Sequence, residues 1–175
     1  VLYVYKDRKH KMWIGTDHGI FVYNKDLKLT HHYQHADSNS NSLAHNYVMV
    51  IQEDGLGRLW VGTKGGLSLL ISEQEIKFKN FKNLPSSQTI SSNRIYTLSP
   101  DGKNHLWIGT NKGLDIMNMA TYKVKSFKPD ERNPNSLTSR SISSILIDKS
   151  GIVWLGTYQG GLNKYDKNLS LFNLK

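Results

Sequence analysis

Apolar and polar positions alternate along this chain in short runs, and the runs recur. The first of each set is an apolar stretch: Val1 to Tyr5, Val48 to Ile51, Ile95 to Leu98 and Ile142 to Ile147. A polar turn follows each, then a run around a tryptophan, a second turn and another apolar run. Short runs bounded by Asp, Asn, Ser and Gly predict β-strands. Val48-Met49-Val50-Ile51 is apolar on both faces, which predicts a strand covered on both sides. Third strands are predicted over Ile20–Tyr23, Leu67–Leu70, Leu114–Met117 and Leu162–Tyr165. Fourth strands, more polar and rich in lysine, are predicted over Leu29–Tyr33, Ile76–Phe81, Tyr122–Phe127 and Leu169–Phe172. No segment sustains the 3.6-residue period of an amphipathic helix.

The recurrence has a fixed period. Trp13-Ile14-Gly15-Thr16, Trp60-Val61-Gly62-Thr63, Trp107-Ile108-Gly109-Thr110 and Trp154-Leu155-Gly156-Thr157 are spaced by 47 residues and contain every tryptophan of the chain. Self-similarity at such a period marks a repeat architecture. The aspartates Asp7, Asp54, Asp101 and Asp148 keep the same spacing of 47. In three copies they open a glycine-bearing turn: Asp54-Gly55-Leu56-Gly57, Asp101-Gly102 and Asp148-Lys149-Ser150-Gly151. Asp accepts backbone N–H bonds at a turn start, and Gly supplies a positive φ. The first copy, Asp7-Arg8-Lys9-His10, lacks the glycine, so its turn is expected to differ. Glycines 15, 62, 109 and 156 leave room for a neighbouring backbone or ring. Gly19-Ile20, Gly66-Leu67, Gly113-Leu114 and Gly161-Leu162 then read as hairpin ends. The fourth copy holds one extra residue there, Tyr158-Gln159-Gly160-Gly161.

Four short strands per 47 residues, repeated four times, predict an all-β chain built as β-propeller blades. The blades fall at approximately 1–35, 43–82, 90–128 and 137–174, joined by the polar linkers Asp37 to Ser42, Leu84 to Thr89 and Pro129 to Ser136. Each tryptophan is expected to be buried between adjacent blades.

Composition adjusts this picture little. Apolar content of 38% and charged content of 21% fit a globular class rather than a disordered one. No apolar run approaches the ~18 residues of a membrane helix. The chain opens on Val1 rather than Met, and we expect it to be a piece of a longer protein. The absence of cysteine excludes disulfides, thiolate metal sites and cysteine nucleophiles. The net charge of +9 raises nucleic acid as a partner. The placement argues against it, since Lys77, Lys79 and Lys82, and again Lys123, Lys125 and Lys128, alternate with apolar residues. Lysines so placed protect an exposed sheet edge from pairing with other chains.

Catalytic and metal chemistry find no support in the spacing. In His31-His32-Tyr33-Gln34-His35 the outer two histidines would lie about 13 Å apart along one strand face, too far to share a zinc ion. The four repeated aspartates fit turn chemistry better than paired general acids. No nucleophile elbow, phosphate loop or catalytic triad is present. No metal or cofactor is expected. Binding residues are sought where the repeats disagree, in two sets of loops that open on one face of a propeller. One set contributes His45, Asn46, Tyr47, Asn93, Arg94, Ser139 and Arg140. The other contributes Asp17, His18, Lys64, Asn111, Lys112, Tyr158 and Gln159. Of these, Tyr47, Arg94, Arg140, Lys112, Tyr158, His18, Lys64 and Asn111 are the candidate ligand-binding residues. Arg, Asn, His and Tyr around an opening suit sugar hydroxyls and carboxylates.

The pattern resembles the two-component regulator propeller repeat: Ser-Leu, a hydrophobic strand, Asp-x-x-Gly, Leu-Trp-Ile-Gly-Thr and Gly-Gly-Leu. The second copy follows it through Ser42-Leu43, Asp54 to Gly57, Leu59 to Thr63 and Gly65-Gly66-Leu67. The third departs at Thr89-Ile90 and at Lys112-Gly113. The resemblance implies an arc of a seven-bladed propeller in the periplasmic sensor region of a Bacteroides-type hybrid two-component histidine kinase. It implies further a non-enzymatic segment that recognises or relays an oligosaccharide signal controlling polysaccharide-utilisation genes. The implied partners are the oligosaccharide, the remaining blades and an immunoglobulin-like domain of the parent chain. An interaction scaffold, or a part of a polysaccharide-acting enzyme, is the alternative reading. Four blades on their own would expose apolar blade faces, so either two copies pairing into an eight-bladed homodimer or an aggregation-prone arc is expected.

Overall fold

The predicted alternation appears as strands in a computed structural model that describes residues 1–85, 89–166 and 171–174, with Asp166 and the last four described by backbone alone. The first blade comprises β1 (Tyr3–Lys6), β2 (Met12–Thr16), β3 (Gly19–Tyr23) and β4 (Leu29–Tyr33). The second comprises β5 (Val48–Glu53), β6 (Leu59–Thr63), β7 (Leu67–Ser72) and β8 (Lys77–Phe81). In the third are β9 (Ile95–Pro100), β10 (His105–Thr110), β11 (Gly113–Asn118) and β12 (Val124–Phe127). The fourth has β13 (Ile142–Ile147), β14 (Val153–Thr157), β15 (Gly161–Asp166) and β16 (Leu171–Leu174). Each blade is a single antiparallel sheet whose strands pair in chain order. No helix occurs among the described residues. Leu169 and part of the linker Leu84 to Thr89, both read from the sequence above, lie outside the described residues.

Two of the sequence expectations need correction. The fourth strands of the second and third blades begin at Lys77 and Val124, later than the apolar pattern suggested. Ile76 and Tyr122, with φ of 51° and 59°, take the left-handed position of the preceding turn, as Leu27 does at 57°. Their apolar side chains match the strand pattern, but their backbone belongs to the turn. The first Asp turn does not differ from the others by lacking a glycine. His10 adopts φ 62°, where Gly57 and Gly151 adopt 81° and 84°. Its N–H donates to the Asp7 carbonyl at 3.0 Å, as Gly57 and Gly151 do to Asp54 and Asp148 at the same distance. Histidine is among the residues that tolerate this region. The odd turn is the third, where the left-handed positions are Gly102 and Asn104.

The repeated aspartate does more than open a turn. Asp7, Asp54 and Asp148 also accept the indole N–H of Trp13, Trp60 and Trp154 at 2.9, 2.9 and 3.0 Å. The strict spacing of six residues between Asp and Trp therefore carries a side-chain bond that satisfies the tryptophan's one donor. Hydrogen bonds from Ser150 and Trp154 hold the Asp148 carboxyl down at about 2. The threonine that ends each motif closes the next turn: Thr16, Thr63, Thr110 and Thr157 donate to Gly19, Gly66, Gly113 and Gly161 carbonyls at 2.8 to 3.0 Å. In the fourth copy this bond spans the extra residue, so the longer loop closes on the same partner.

Contacts divide the chain into two compact units, each holding two blades. Unit 1 is Val1–Asn83 with Asn93–Ile95, and unit 2 is the described part of Leu84–Ser92 and Tyr96–Lys175. In unit 1, Trp13 of the first blade packs into a buried cluster with Val48, Ile51, Leu59 and Val61 of the second. Burial of such side chains supplies roughly 1.5–3 kcal/mol each. In unit 2, Trp107 packs with Leu137, Ile142, Val153 and Leu155 of the fourth blade. Gly15 shows why the motif needs glycine, because an added Cβ would lie 2.7 Å from Val48 Cγ1 on the next blade. Gly109 stands equally close, at 2.8 Å, to the Ile142 carbonyl. Trp13, Trp60 and Trp107 are buried, while Trp154 is half-buried. The departure at Thr89-Ile90 keeps the packing, since Ile90 is as buried as Leu43 and Leu137. Lys77, Lys79, Lys123 and Lys125 are exposed at the outer strands, whereas Phe78 between two of them is buried. This arrangement fits edge protection.

Candidate ligand-binding face

Loops that end β2, β6, β10 and β14 lie at the same end of each blade as the segments entering β5 and β13. A polar clip holds those entering segments and the one that enters β9. Ala44 N–H donates to Ser68 Oγ at 3.0 Å, Ser91 N–H to Asp115 Oδ2 at 2.7 Å and Thr138 N–H to Asn163 Oδ1 at 3.1 Å. The three donors are spaced by 47 residues, and the three acceptors sit on β7, β11 and β15. Sequence reading missed this clip because Ser, Asp and Asn look unrelated at one repeat position. Their only warning was a polar residue inside an apolar strand. Asp115 is wholly buried and also accepts from Ser91 Oγ at 3.0 Å and Ser126 Oγ at 2.5 Å. Burial pushes its carboxyl above the usual range, only partly offset by those serines.

In unit 1 the structure places His18, Tyr47, Lys64 and Arg94, all at this end. Two loops meet directly: Gly19 N–H donates to the Asn46 carbonyl at 2.8 Å, and Lys64 N–H to the Tyr47 carbonyl at 3.1 Å. Lys64 Nζ lies 3.3 Å from the centre of the Tyr47 ring, a cation–π pair at the surface. Exposed His18 pairs through Nδ1 with Asp17 Oδ1 at 2.9 Å. Its carbonyl accepts from His32 Nε2 at 2.9 Å. Burial, with the charges of His35 and Lys64, pushes the His45 imidazole down, and its Nδ1 accepts the Tyr47 N–H at 2.8 Å. Asn46 and Asn93 serve the scaffold. Asn46 Oδ1 takes the His35 N–H at 2.7 Å, and Asn93 Oδ1 takes the Asn83 N–H at 2.6 Å. Arg94 is exposed beside Asn93.

In unit 2 the corresponding residues are Asn111, Lys112, Arg140 and Tyr158. Tyr158 is 66% exposed, and its backbone is clamped on both sides. Its N–H donates to the Ser141 carbonyl and its carbonyl accepts from Ser139 Oγ, both at 2.9 Å. Lys112 and Arg140 are exposed. Asn111 is tied down, its Oδ1 accepting from Ser92 Oγ at 2.5 Å. A fixed backbone presenting exposed Tyr, Arg and Lys side chains can offer a stacking face and charge-assisted hydrogen bonds to a polar ligand. No group of three or more His, Asp or Glu with the geometry to hold a metal occurs among the described residues. The cleft of unit 1 opens at the opposite end of the blades. It measures about 420 Å3 and is lined by Asp7, Lys11, Trp13, Glu53, Arg58 and Glu73.

Comparison with known proteins places these blades. No curated protein sequence matches the chain. Among solved structures it is similar to the extracellular domain designated as that of the hybrid two component system BT3049 from B. thetaiotaomicron. The TM-score there is 0.79 at 25% identity, over 97% of this chain and 22% of that one. The corresponding domain of BT4673 from the same organism gives 0.78 at 21% identity, over 97% and 24%. Virginiamycin B lyase from Staphylococcus aureus gives 0.65 at 17% identity over 94% and 52%, a likeness of fold alone. The chain thus spans about a quarter of the length of the two-component structures it matches. The propeller fold is shared by all three, and the four blades correspond to part of a larger propeller-bearing chain. Residues 42–65, 89–112 and 136–159 match the sequence profile of the two component regulator propeller, so these three segments are similar to its repeats.

Proposed function

We propose that this chain is a ligand-reading segment of the extracellular, periplasm-facing sensor of a hybrid two-component system. The observation that carries the reading is the joint match of three repeats to the two component regulator propeller and of 97% of the chain to an extracellular domain of such a system. Its role is binding and relay rather than catalysis. The ligand is an oligosaccharide, taken up by the loops that carry Tyr47, Lys64 and Arg94 in unit 1 and Lys112, Arg140 and Tyr158 in unit 2. Its recognition would switch polysaccharide-utilisation genes through the parent protein. Further blades and an immunoglobulin-like domain of that parent are the partners, or a second copy of the chain. Positions such as Val4 on β1 and Leu146 on β13, 52% and 63% exposed, are the apolar surface such partners would cover.

Calorimetric titration of the parent ectodomain with a panel of neutral and acidic oligosaccharides tests this. One glycan is expected to bind, and Arg94→Ala to weaken it by roughly tenfold, the loss of one charge-assisted hydrogen bond. A panel without a binder, or a binder indifferent to Arg94→Ala and Arg140→Ala alike, would overturn the assignment.

A further inference from the structure

Unit 2 carries a second crevice that the loop face does not use. It measures about 290 Å3 and is lined by His105, Asn118, Lys123, Lys125, Phe127 and Tyr165, with Ile116 and Val124 behind them. It lies at the repeat position of the unit 1 cleft: His105 stands 94 residues after Lys11, and Tyr165 stands 95 after Leu70. The two differ in charge balance. In unit 1 two of the lining bases meet an acid, Lys11 with Glu73 and Arg58 with Asp54, and Arg8 pairs with Glu53 nearby. In unit 2, Lys123 and Lys125 have no ion-pair partner among the described residues. Asp101 is taken by His105, whose Nδ1 donates to Oδ2 at 3.0 Å.

The remaining atoms sort by donor and acceptor. Asn118 Oδ1 is consumed by the turn after β11, accepting Ala120 N–H at 3.0 Å and Thr121 N–H at 2.9 Å. That leaves the carboxamide N–H2 as a donor toward the crevice. A His105 ring that gives Nδ1–H to a carboxylate keeps Nε2 as an acceptor when neutral. The walls are aromatic: the Phe127 and Tyr165 ring centres lie 6.5 Å apart, Tyr165 lies 5.4 Å from Trp107, and Lys125 Nζ is 5.0 Å from the Phe127 ring centre. Edge protection explains why lysines stand on β12. It does not explain why they rim a concave aromatic pocket that also holds an amide donor, an imidazole acceptor and the Tyr165 hydroxyl.

The geometry points to a binding site for a small ring compound that carries a carboxylate and at least one hydroxyl. The carboxylate sits between the Lys123 and Lys125 ammonium groups and Asn118 Nδ2. The hydroxyl donates to His105 Nε2, and the flat face of the ring lies against Phe127 and Tyr165.

Two-dimensional NMR titration of the full chain tests it with three probes: glucuronate, 4-hydroxybenzoate and uncharged glucose. Saturable binding by one of the two carboxylates, a dissociation constant on the millimolar scale or tighter and no response to glucose are expected. The shifts should centre on the Trp107 indole and Phe127 amide. The probe that binds tells a sugar acid from an aromatic acid. Lys123→Ala with Lys125→Ala should weaken binding by tenfold or more, on the order of one charge-assisted hydrogen bond lost. Lys77→Ala with Lys79→Ala, on the equivalent outer strand of unit 1, should leave it unchanged. All four lysines are exposed, so both variants are expected to fold, which thermal melts check. Failure of both carboxylates to bind, equal binding of glucose, or binding that survives the Lys123 and Lys125 substitutions would overturn the site.

Discussion

Blade 2 and blade 3 carry the same frame of aspartate and tryptophan six residues apart, and they use it differently. In blade 2, Asp54 gathers four donors: the N–H groups of Leu56 and Arg58, Arg58 Nε at 2.7 Å and Trp60 Nε1 at 2.9 Å. In blade 3, Asp101 accepts Lys103 N–H and His105 N–H, but its second oxygen goes to the His105 ring. Trp107 Nε1 is left buried without a partner. The residue four positions after the aspartate makes the difference. Arg58 reaches Asp54 alongside the indole, whereas His105 takes the oxygen the indole would use. A second difference lies on the third strand, where blade 2 has Ser68 and blade 3 has the buried carboxyl of Asp115. Copies of one repeat can thus share a backbone and differ in where their polar groups are satisfied.

The largest test removes each aspartate in turn. Asp54→Ala strands the Arg58 guanidinium and a fully buried indole, and is expected to cost about 3 kcal/mol or more. Asp101→Ala removes no tryptophan bond and should cost about 1 kcal/mol. Denaturant unfolding of both variants decides, and equal losses would end the comparison. The effect is pH-dependent with a defined sign. Burial pushes Asp54 up, but the bonds from Trp60, Arg58 and Leu56 outweigh it and hold the carboxyl below its usual range. Its contribution is therefore present above the unfolded carboxyl's pKa and lost as pH falls through the folded value.

Asp115 has the opposite sign. Its folded carboxyl is raised, so the stability it contributes is full below the unfolded pKa and is lost as pH rises through the folded value. Asp115→Asn, the residue that blade 4 carries as Asn163, should gain about 1 kcal/mol near neutrality and lose that gain in acid. A flat difference between the two proteins across a pH series of melts would contradict the buried-charge account.

The smallest expected effect comes from His105→Ile, which copies blade 4, where Ile152 leaves Asp148 to Trp154. Releasing Asp101 to the Trp107 indole should stabilise by about 0.5–1 kcal/mol. A low-field-shifted indole N–H in the NMR spectrum would report the new bond, and an unchanged indole resonance would speak against it.

How much was legible in the chain can be judged from these same residues. Strand order, the blade frame, the turn role of the aspartates and the exposed lysines follow from local rules. A period of 47 residues, alternation of apolar side chains and Asp–Gly turns act over a few neighbours, and they are repeated four times in one sequence. The loops carrying Tyr47, Lys64, Arg140 and Tyr158 are also legible as the places where the repeats disagree. What the amino-acid order could not express is pairing across the fold. Whether the oxygen of Asp101 meets an indole or an imidazole depends on side-chain geometry around a turn. The clip of Ser91 to Asp115 joins positions 24 residues apart, and the pairing of Arg8 with Glu53 joins positions 45 apart. The same holds for the crevice of unit 2, whose lysines read as ordinary edge residues until β12 is set beside Tyr165. Such contacts depend on the distances that packing imposes, and those are decided only when the blades are assembled.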